Sequence, residues 1–477
     1  MIELVSKFGT AKITIDEVED ACIQQLYNII SSPLGSNDIV IMPDCHAGRG
    51  AVVGYTQPLQ EKICPNLIGS DIGCGMLSFK VDKIPDTLKN INHQIKRSIP
   101  TGTFHHKECQ LTPTEWNDLF NTATLSCQLF VIEYNKKFGT NYNPIKYDMD
   151  WLDKKLKQIK LDPIRAKNSI GTLGGGNHFI EIGEANNGGY WVTVHSGSRK
   201  FGEAICDLHQ FNARHHIENK RSVDLQSGII NIRKEYAENP KLIEPNIKKL
   251  KKELGLDFEI DIKGLEYLEF DKAMDYLFDM VFAQQYAVMN RKIMSELIMR
   301  NIFKGQEVID HINCTHNYID FNDMIIRKGS ISSYTGSRAI IPFNMEDGLL
   351  IIEGKSNPEW NFSAPHGAGR IMSRSQAKST LSLEEMKKGM DEAGVFSTSL
   401  NKNTLDEAKG AYKSAELIEM AIEPTAIILE KVKPILNIKD DSNSMSWKEK
   451  REEKKKREEI KNKEIDELAY KKMKKIK

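Results

Sequence analysis

Short apolar runs separated by glycine-rich turns dominate the first 85 residues of the chain. Val40-Ile41-Met42 and Ala51-Val52-Val53 are apolar triplets that end at turn-forming residues, a pattern typical of buried β-strands. Strand-like, glycine-punctuated sequence returns between about 308 and 370, and the sequence that follows, to about 436, is predicted to be helical. The pattern therefore predicts two strand-rich regions with helical sequence between and after them.

The strongest helical periodicity lies in residues 267–303, where apolar residues recur at steps of three and four. This segment exceeds an average helix in length and is predicted to be a core helix. Residues from about 105 to 165 and from about 217 to 265 are rich in lysine and partly helical, so both are predicted to be surface insertions. Strand clusters and helix blocks that do not alternate regularly favour an α+β fold.

The composition changes sharply after Asp440. Residues 441–477 are rich in Lys and Glu and contain almost no core-forming side chains. Such a segment cannot bury enough apolar area to offset its ordering entropy, so it is predicted to be a solvated helix or a disordered tail. Residues 1–440 are predicted to form a single folded domain.

Charge and composition narrow the class of protein. The 477 residues include 66 Lys and Arg and 66 Asp and Glu, so no overall charge draws the molecule to nucleic acid and any such surface must be local. No apolar run approaches the roughly 18 residues of a membrane span, and the N-terminus lacks the pattern of a signal peptide. A cytoplasmic protein without membrane contact is expected. The eight cysteines are scattered without a CxxC pair, which argues against a zinc ribbon or a thioredoxin-like motif.

Residues with metal-binding chemistry concentrate in glycine-rich islands. Asp71 and Cys74 lie three residues apart in GSDIGCGM, where the glycines permit a backbone that turns both side chains inward. A carboxylate and a thiolate this close can each bind a divalent ion, or the sulfur can bridge two. A tight turn with a buried cysteine is the alternative interpretation.

The island GTLGGGNHFIEI combines an anion-binding turn with two functional side chains. Its three successive glycines can present backbone N–H groups to a phosphate, although a flexible turn explains them equally well. If the following residues are extended, His178 and Ile180 point to one side while Phe179 and Glu181 point to the other. His178 could then face a metal while Glu181 meets another group, such as the edge of a base.

Further histidines end apolar segments. His195 ends a predicted strand just before Arg199, an arrangement suited to metal plus phosphate binding, although a lone histidine there is more often structural. HINCTHNYID carries His311, His316 and Asn317. His366 precedes Gly367-Ala368-Gly369 at a predicted helix start, where backbone N–H groups attract phosphate.

One carboxylate, one thiolate and three imidazoles are too many ligands for one ordinary zinc site and suit two borderline metals with a shared bridge. The five candidate ligands are Asp71, Cys74, His178, His195 and His316. His366 is then the histidine left over, and beside a phosphate-binding turn it could act as a nucleophile on phosphorus.

Taken together and in order, the islands resemble one family, the RtcB-type RNA-splicing ligases, from about residue 8 to about 440. The matching blocks are MPDCHAGRGAVVG, GSDIGCGM, GTLGGGNHFIEI, VHSGSR, THNY, RKGS, SAPHGAGRIMSR and DEAKGAYK. The resemblance implies an α+β catalytic domain around a deep metal and nucleotide pocket. It also implies two Mn²⁺ ions on the five ligands, with Cys74 as the bridge, and His366 as the residue that attacks GTP and carries GMP.

The resemblance further implies the reaction and its partners. A 2′,3′-cyclic phosphate is opened to a 3′-phosphate, GMP moves from His366 to that phosphate, and a 5′-hydroxyl of RNA displaces GMP. The expected partners are cleaved RNA such as tRNA halves, GTP and an archease-type activator, and the expected state is a monomer. Arg199, Arg327 and Lys328 are candidates for contact with RNA phosphates. The implied nucleotide contacts are Asn177, His178, Phe179, Ile180, Glu181, His316, Asn317, Pro342, Phe343, Asn344, Met345, Leu349, His366, Gly367, Ala368, Gly369 and Lys439.

The chain departs from the family pattern near the expected nucleotide. Phe343-Asn344 stands where the family usually has Gly-Ser, Leu349 replaces a small hydroxyl residue, and the tail places Lys439 inside the chain rather than at its end. Two other functions are alternatives: a two-metal phosphoesterase that trims RNA ends without joining them, and a non-catalytic RNA-binding relative. The phosphoesterase would need the five ligands but not His366, Glu181 or Lys439, so retention of these three favours ligation. The non-catalytic alternative predicts loss of ligands or nucleophile, and none is lost.

Overall fold

Two large β-sheets and a block of helices make up the architecture of the computed structural model, which describes residues 1–256 and 262–441. The strands are β1 Ile2–Ser6, β2 Gly9–Ile13, β3 Ile39–His46, β4 Val53–Pro58, β5 Gly75–Val81, β6 Phe179–Ala185, β7 Tyr190–Ser196, β8 Asp310–Thr315, β9 Asn317–Ile319, β10 Ile325–Lys328, β11 Ser330–Ser332, β12 Arg338–Pro342, β13 Leu349–Gly354, β14 Ser363–Pro365 and β15 Ala426–Ile438. The helices are α1 Asp20–Ile30, α2 Leu88–Ser98, α3 Pro113–Phe138, α4 Met149–Gln158, α5 Pro163–Asn168, α6 Arg199–Asn219, α7 Leu225–Glu235, α8 Ile243–Glu253, α9 Phe270–Asn301, α10 Arg374–Thr380, α11 Leu383–Ala393 and α12 Ala415–Ala421. The α+β fold expected from the sequence is confirmed.

The larger sheet has the strand order β12-β13-β15-β6-β7-β5-β8, with every neighbouring pair antiparallel. Its two edge strands also meet, because Arg338 on β12 forms a bidentate ion pair with Asp310 on β8 at 2.5 and 2.7 Å. The sheet therefore curls on itself. Met76, Phe179 and Trp191 point to one face of the sheet and belong to one apolar cluster. Ile180 and Val192, which alternate with them along the strands, belong to a second cluster on the other face.

The smaller sheet has the order β1-β2-β3-β4-β10-β9, in which only β2 and β3 run parallel. The 32-residue helix α9 packs against α3, α6 and the larger sheet, and most of its side chains are buried. This confirms the core helix predicted over residues 267–303. Within the described residues, no helix is long and apolar enough to cross a membrane.

Local signals explain where several helices begin and end. At α3, Thr112 and Glu115 form a reciprocal capping box, Pro113 occupies the first turn, and Gly139 ends the helix with φ of 66°. The helices expected in the 105–165 segment are present, and α3 buries one face in the main core.

One predicted element is wrong. The helical region was predicted to extend to about residue 436, but residues 426–438 form β15, which lies between β13 and β6 in the larger sheet. Its pairing shifts register near Pro434, where the missing N–H removes one ladder donor. Residues 442–477 of the predicted tail and residues 257–261 of the second predicted insertion lie outside the described residues.

Candidate active site

The five candidate metal ligands, far apart in sequence, converge on one point. The Cys74 Sγ lies 3.4 Å from His178 Nε2 and 3.3 Å from His195 Nε2. The same nitrogen of His178 is 2.8 Å from Asp71 Oδ2, and the Nε2 atoms of His195 and His316 are 3.3 Å apart. Two overlapping ligand groups result, and Cys74 belongs to both of them. This geometry permits two neighbouring ions with a shared thiolate.

The curled sheet produces this convergence. Strand β5 lies between β7 and β8, so that Cys74, just before β5, is placed next to His195 at the end of β7 and His316 just after β8. A side chain at Gly75 would put its Cβ 2.3 Å from the carbonyl oxygen of Cys314, so only glycine allows this close approach. The strand register and Gly75 therefore bring together three of the five candidate ligands.

The imidazole ligands present unprotonated nitrogen atoms to the centre of the cluster. The Nδ1 of His178 lies 2.9 Å from the carbonyl oxygen of Leu173, which fixes the tautomer with its Nε2 lone pair toward the cluster. Burial lowers the pKa values of His195 and His316 well below the usual range, so both imidazoles are neutral. Buried lone pairs that face one another without a fixed proton between them are satisfied by a borderline divalent ion. The residues present thus fit a metal centre.

His366 lies beside this cluster, with its ring centroid 4.7 Å from that of His316. The Asp44 Oδ2 accepts hydrogen bonds from His366 Nδ1 at 2.6 Å and from its backbone N–H at 3.1 Å. Asp44 is fully buried at the end of β3, so its carboxylate holds the ring in one orientation and one tautomer. The lone pair of His366 Nε2 is then free to act as a nucleophile.

A cavity of about 530 Å³ opens in front of His366. Its wall combines both strand-rich regions and the segment after β14. The sequence-predicted residues that line it are Asp71, Asn177, Phe179, Glu181, His195, His316, Asn317, Lys328, Pro342, Phe343, Asn344, Met345, His366, Gly367, Ala368, Gly369 and Lys439. A volume of this size is typical of a small-molecule or nucleotide site.

One end of the cavity is a buried charge network around Glu407. Its carboxylate accepts hydrogen bonds from Lys439 Nζ at 2.9 Å, Arg370 at 2.5 Å and the Tyr412 hydroxyl at 2.9 Å. Burial alone would raise the pKa of Glu407, but Lys439, Arg374 and Arg370 hold it at about 2. The network places positive charge beside the cavity while Glu407 stays ionised.

Glu181 has a different environment on the neighbouring strand. Burial raises the pKa of its carboxyl to about 8, against the opposing effects of Asn437 and Lys439. Asn437 Nδ2 donates to Glu181 Oε2 at 2.8 Å, whereas Glu181 Oε1 has no hydrogen-bond partner among the described residues. One buried oxygen of this carboxyl group is therefore left to hydrogen-bond a ligand.

A second, smaller cavity of about 260 Å³ reaches the metal ligands from another direction, since Asp71 and His178 line it. Arg199 also lines it, and its guanidinium donates to Thr172 Oγ1 at 3.0 Å and to the carbonyl oxygen of Gly102 at 2.7 Å. Arg165 and Lys200 add further positive charge. The ligand cluster is therefore accessible from two sides, and this side suits an anionic group.

Comparison with known proteins agrees with this geometry. The sequence model of the tRNA-splicing ligase RtcB family matches residues 25–440. The chain belongs to the RtcB family of RNA-splicing ligases. It is 27% identical to the RNA-splicing ligase RtcB of Escherichia coli (strain K12), with 88% of this chain and 95% of that protein covered. It is also 24% identical to the tRNA-splicing ligase RtcB of Nanoarchaeum equitans, with 91% and 94% covered.

Three of the nucleotide contacts implied by the RtcB resemblance do not line this cavity: His178, Ile180 and Leu349. His178 lines the second cavity instead. The Ile180 side chain points into the apolar cluster on the other face of β6, as the alternation along the strand requires. Leu349 lies in β13, and its side chain packs into the same apolar cluster as Met76, Phe179 and Trp191. Phe343 and Asn344 do line the cavity, where Asn344 Oδ1 accepts hydrogen bonds from the next turn at Glu346 and Asp347.

Two of the predicted RNA-phosphate contacts of this RtcB chain are wrong. Arg327 is fully buried and is paired with Asp323 at 2.6 Å and Asp320 at 3.4 Å, so its guanidinium serves the fold. Lys328 Nζ donates to the carbonyl oxygens of Arg49, Ala51 and Asn66 at 2.8–3.0 Å. Burial lowers the pKa of Lys328 to about 8. Both side chains already have internal partners.

The predicted helix start after His366 is also wrong. Helix α10 begins at Arg374 with Ser373 as its cap, and residues 366–372 form a turn against β3. A Cβ at Gly369 would lie 2.3 Å from the carbonyl oxygen of Asp44, and φ there is +75°. Gly369 therefore permits the close approach of this segment to Asp44.

Sequence reasoning missed several residues of the site, namely Asp44, which lies behind His366, and others that line the cavity. Asp44 lies in the first island, MPDCHAGRG, whose charged and imidazole side chains were the available signal. His46 follows it, lines the cavity, and has a pKa lowered to about 4 by burial. Glu407 and Tyr412 lie in DEAKGAYK, and Asn437 lies in the segment expected to be helical.

Proposed function

We propose that this protein joins RNA 2′,3′-cyclic phosphate or 3′-phosphate ends to 5′-hydroxyl ends, using GTP and Mn²⁺, through a covalent His366–GMP intermediate. The observation that carries the proposal is the placement of His366: it is oriented by the buried Asp44 and lies against His316 of the ligand cluster. RNA-splicing ligase is the name of the E. coli relative. The use of GTP and manganese rests on the resemblance together with this geometry.

The first covalent step uses His366 as the nucleophile. Its Nε2 lone pair attacks the α-phosphorus of GTP, the bond from phosphorus to the bridging oxygen breaks, and pyrophosphate leaves. Asp44 keeps the proton on Nδ1 and stabilises the positive charge that develops on the ring. The product is a phosphoramidate that links His366 to GMP.

The later steps return the imidazole to its starting state. Where the RNA ends in a 2′,3′-cyclic phosphate, water first opens the ring to a 3′-phosphate and a 2′-hydroxyl. An oxygen of the 3′-phosphate attacks the phosphorus of His366–GMP, the N–P bond breaks, and the RNA end carries GMP. The 5′-hydroxyl of the second RNA then attacks the 3′-phosphorus and loses its proton to solvent, GMP leaves, and a phosphodiester remains. Arg199 lines the second cavity, from which an RNA phosphate can reach Asp71 and His178.

Manganese ions would be held by Asp71, Cys74, His178, His195 and His316, and would neutralise charge on the reacting phosphoryl oxygens. The thiolate among these ligands favours a softer ion than magnesium. Glu181, Asn317 and Lys439 line the cavity in front of His366, where we place the guanosine. A cytoplasmic location, a monomeric state and an archease-type activator remain predictions.

Ligation of a defined RNA pair tests the proposal. One strand ends in a 2′,3′-cyclic phosphate, the other carries a labelled 5′-hydroxyl end, and the protein is supplied with GTP and Mn²⁺, with and without an archease. His366→Ala should abolish the joined product. His93→Ala is the matched control, because His93 is exposed on α2 and lines neither cavity.

The outcomes separate the competing functions. A joined product with wild type and His93→Ala but not with His366→Ala supports the ligase. Opening of the cyclic phosphate without joining, even with an archease, indicates a phosphoesterase and contradicts the proposal. Binding of RNA without any change in its ends indicates a non-catalytic protein.

A further inference from the structure

Asn437 places an unused hydrogen-bond acceptor in the cavity wall. It lies on β15 directly opposite Glu181 on β6, and its side chain is 2% exposed. Its Nδ2 donates to Glu181 Oε2 at 2.8 Å, but its Oδ1 has no partner among the described residues. A buried carbonyl oxygen without a donor is unfavourable unless a ligand supplies the missing hydrogen bond.

The orientation of the amide follows from its neighbour. The NH₂ group of Asn437 donates to Glu181 Oε2, so the amide oxygen points away from that carboxyl oxygen. Glu181 Oε1 is also buried without a partner among the described residues. The two oxygens without partners therefore belong to residues that are paired across adjacent strands and that both line the cavity.

The nearby ammonium group of Lys439 does not donate a hydrogen bond to Asn437 Oδ1. The ammonium of Lys439 is directed to Glu407 at 2.9 Å and to the carbonyl oxygens of Asn177 and His178 at 3.3 and 3.5 Å. With three acceptors around it, this ammonium has no further proton for Asn437. The pair of oxygens is complementary to a ligand edge that carries two neighbouring N–H donors.

We infer that Asn437 Oδ1 accepts a hydrogen bond from the 2-amino group of guanine, next to an N1–H bond to Glu181, and so determines specificity for a 2-aminopurine. This inference rests on the proposed use of GTP. Guanine carries N1–H and N2–H₂ as adjacent donors, whereas adenine offers a bare N1 acceptor and no 2-amino group. Hypoxanthine keeps N1–H and lacks only the 2-amino group, so inosine triphosphate isolates the contact assigned to Asn437.

The experiment compares GTP with inosine triphosphate as the donor of the covalent nucleotide. Formation of the protein–nucleotide adduct is followed by intact mass at subsaturating nucleotide with Mn²⁺, for wild type, Asn437→Leu and Asn437→Asp. Wild type should favour GTP by at least about tenfold in kcat/KM, because the inosine nucleotide leaves a buried acceptor unpaired. Asn437→Leu should bring the ratio to within about twofold of one, because it has no acceptor to satisfy. Asn437→Asp keeps an oxygen at that position, with a proton shared between its carboxyl group and Glu181 in place of the amide bond, and should keep the preference.

Each result decides the question. A wild-type ratio near one, or an unchanged preference in Asn437→Leu, overturns the role of Asn437. Failure of wild type to form an adduct with either nucleotide would instead contradict the proposed function. Folding of each variant is checked by its thermal unfolding midpoint, and Asn437→Ala replaces the Leu variant if that chain does not fold.

Discussion

Replacement of Asp44 by Asn tests how far the His366 nucleophile depends on one buried carboxylate. Asp44 Oδ2 accepts hydrogen bonds from both the ring Nδ1 and the backbone N–H of His366, at 2.6 and 3.1 Å. The variant keeps the shape of the side chain and removes its charge. If its NH₂ group faces the ring, Nδ1 must become the acceptor and the proton moves to Nε2, which removes the nucleophilic lone pair.

The magnitude follows from this geometry. A hydrogen bond to a charged group contributes about 1.5–3 kcal/mol, which corresponds to a loss of about 10- to 150-fold in rate. The tautomer change adds to this loss, since the equivalent Asp→Asn change in a serine-protease triad costs about 10⁴-fold. We expect His366 guanylation to slow by at least about a hundredfold in Asp44→Asn.

Single-turnover guanylation by rapid quench measures this rate directly. Asp38→Asn is the matched control, since Asp38 is exposed and immediately precedes the same strand, β3. Manganese binding and the thermal unfolding midpoint of both variants should remain close to wild type. A guanylation rate for Asp44→Asn within about threefold of wild type would refute the role given to this carboxylate.

Three further changes test other parts of the account. Cys74→Ala should abolish the rise in thermal unfolding midpoint that Mn²⁺ gives the wild type. The Mn²⁺ affinity of the wild type should increase with pH, because the Cys74 thiol must lose its proton to bind the ion and burial raises the pKa of that thiol. Glu407→Gln should lower the free energy of unfolding by about 3 kcal/mol in urea titrations at pH 7, because it leaves buried cations without a counter-charge. Since the pKa of Glu407 falls from 4.5 to about 2 on folding, its stabilisation is present above pH 4.5 and the difference from Gln should vanish as the pH falls toward 2. Arg327→Met should reduce the free energy of unfolding by about 3 kcal/mol and leave the salt dependence of RNA binding unchanged, because Asp320 and Asp323 occupy its guanidinium.

The metal ligands were predictable because their chemistry is visible residue by residue. Asp71 and Cys74 stand in a glycine-rich turn, and His195 and His316 end apolar strands. Side-chain type, spacing and order were enough to group these residues before any contact was known. Their mutual distances required the register of β5 with β7 and β8, which no local pattern encodes.

The missed residues depend on contacts between distant segments. Asp44 and His366 are 322 positions apart, and their bond forms because β14 packs beside β3. Asn437 was hidden because the segment 426–438 contains apolar residues, Lys and Glu without a clear two-residue alternation. Its strand conformation comes from pairing with β13 and β6 on either side, so tertiary structure overrides the local pattern.

The central claim is that His366 carries GMP during the reaction. The most direct measurement incubates the full chain with α-labelled GTP and Mn²⁺, denatures it, and maps the retained label by peptide mass spectrometry, beside His366→Ala. We predict one acid-labile GMP on the peptide that contains His366, and none on the variant. Absence of retained label on wild type, even with an archease added, or label on another residue that persists in His366→Ala, would contradict the account.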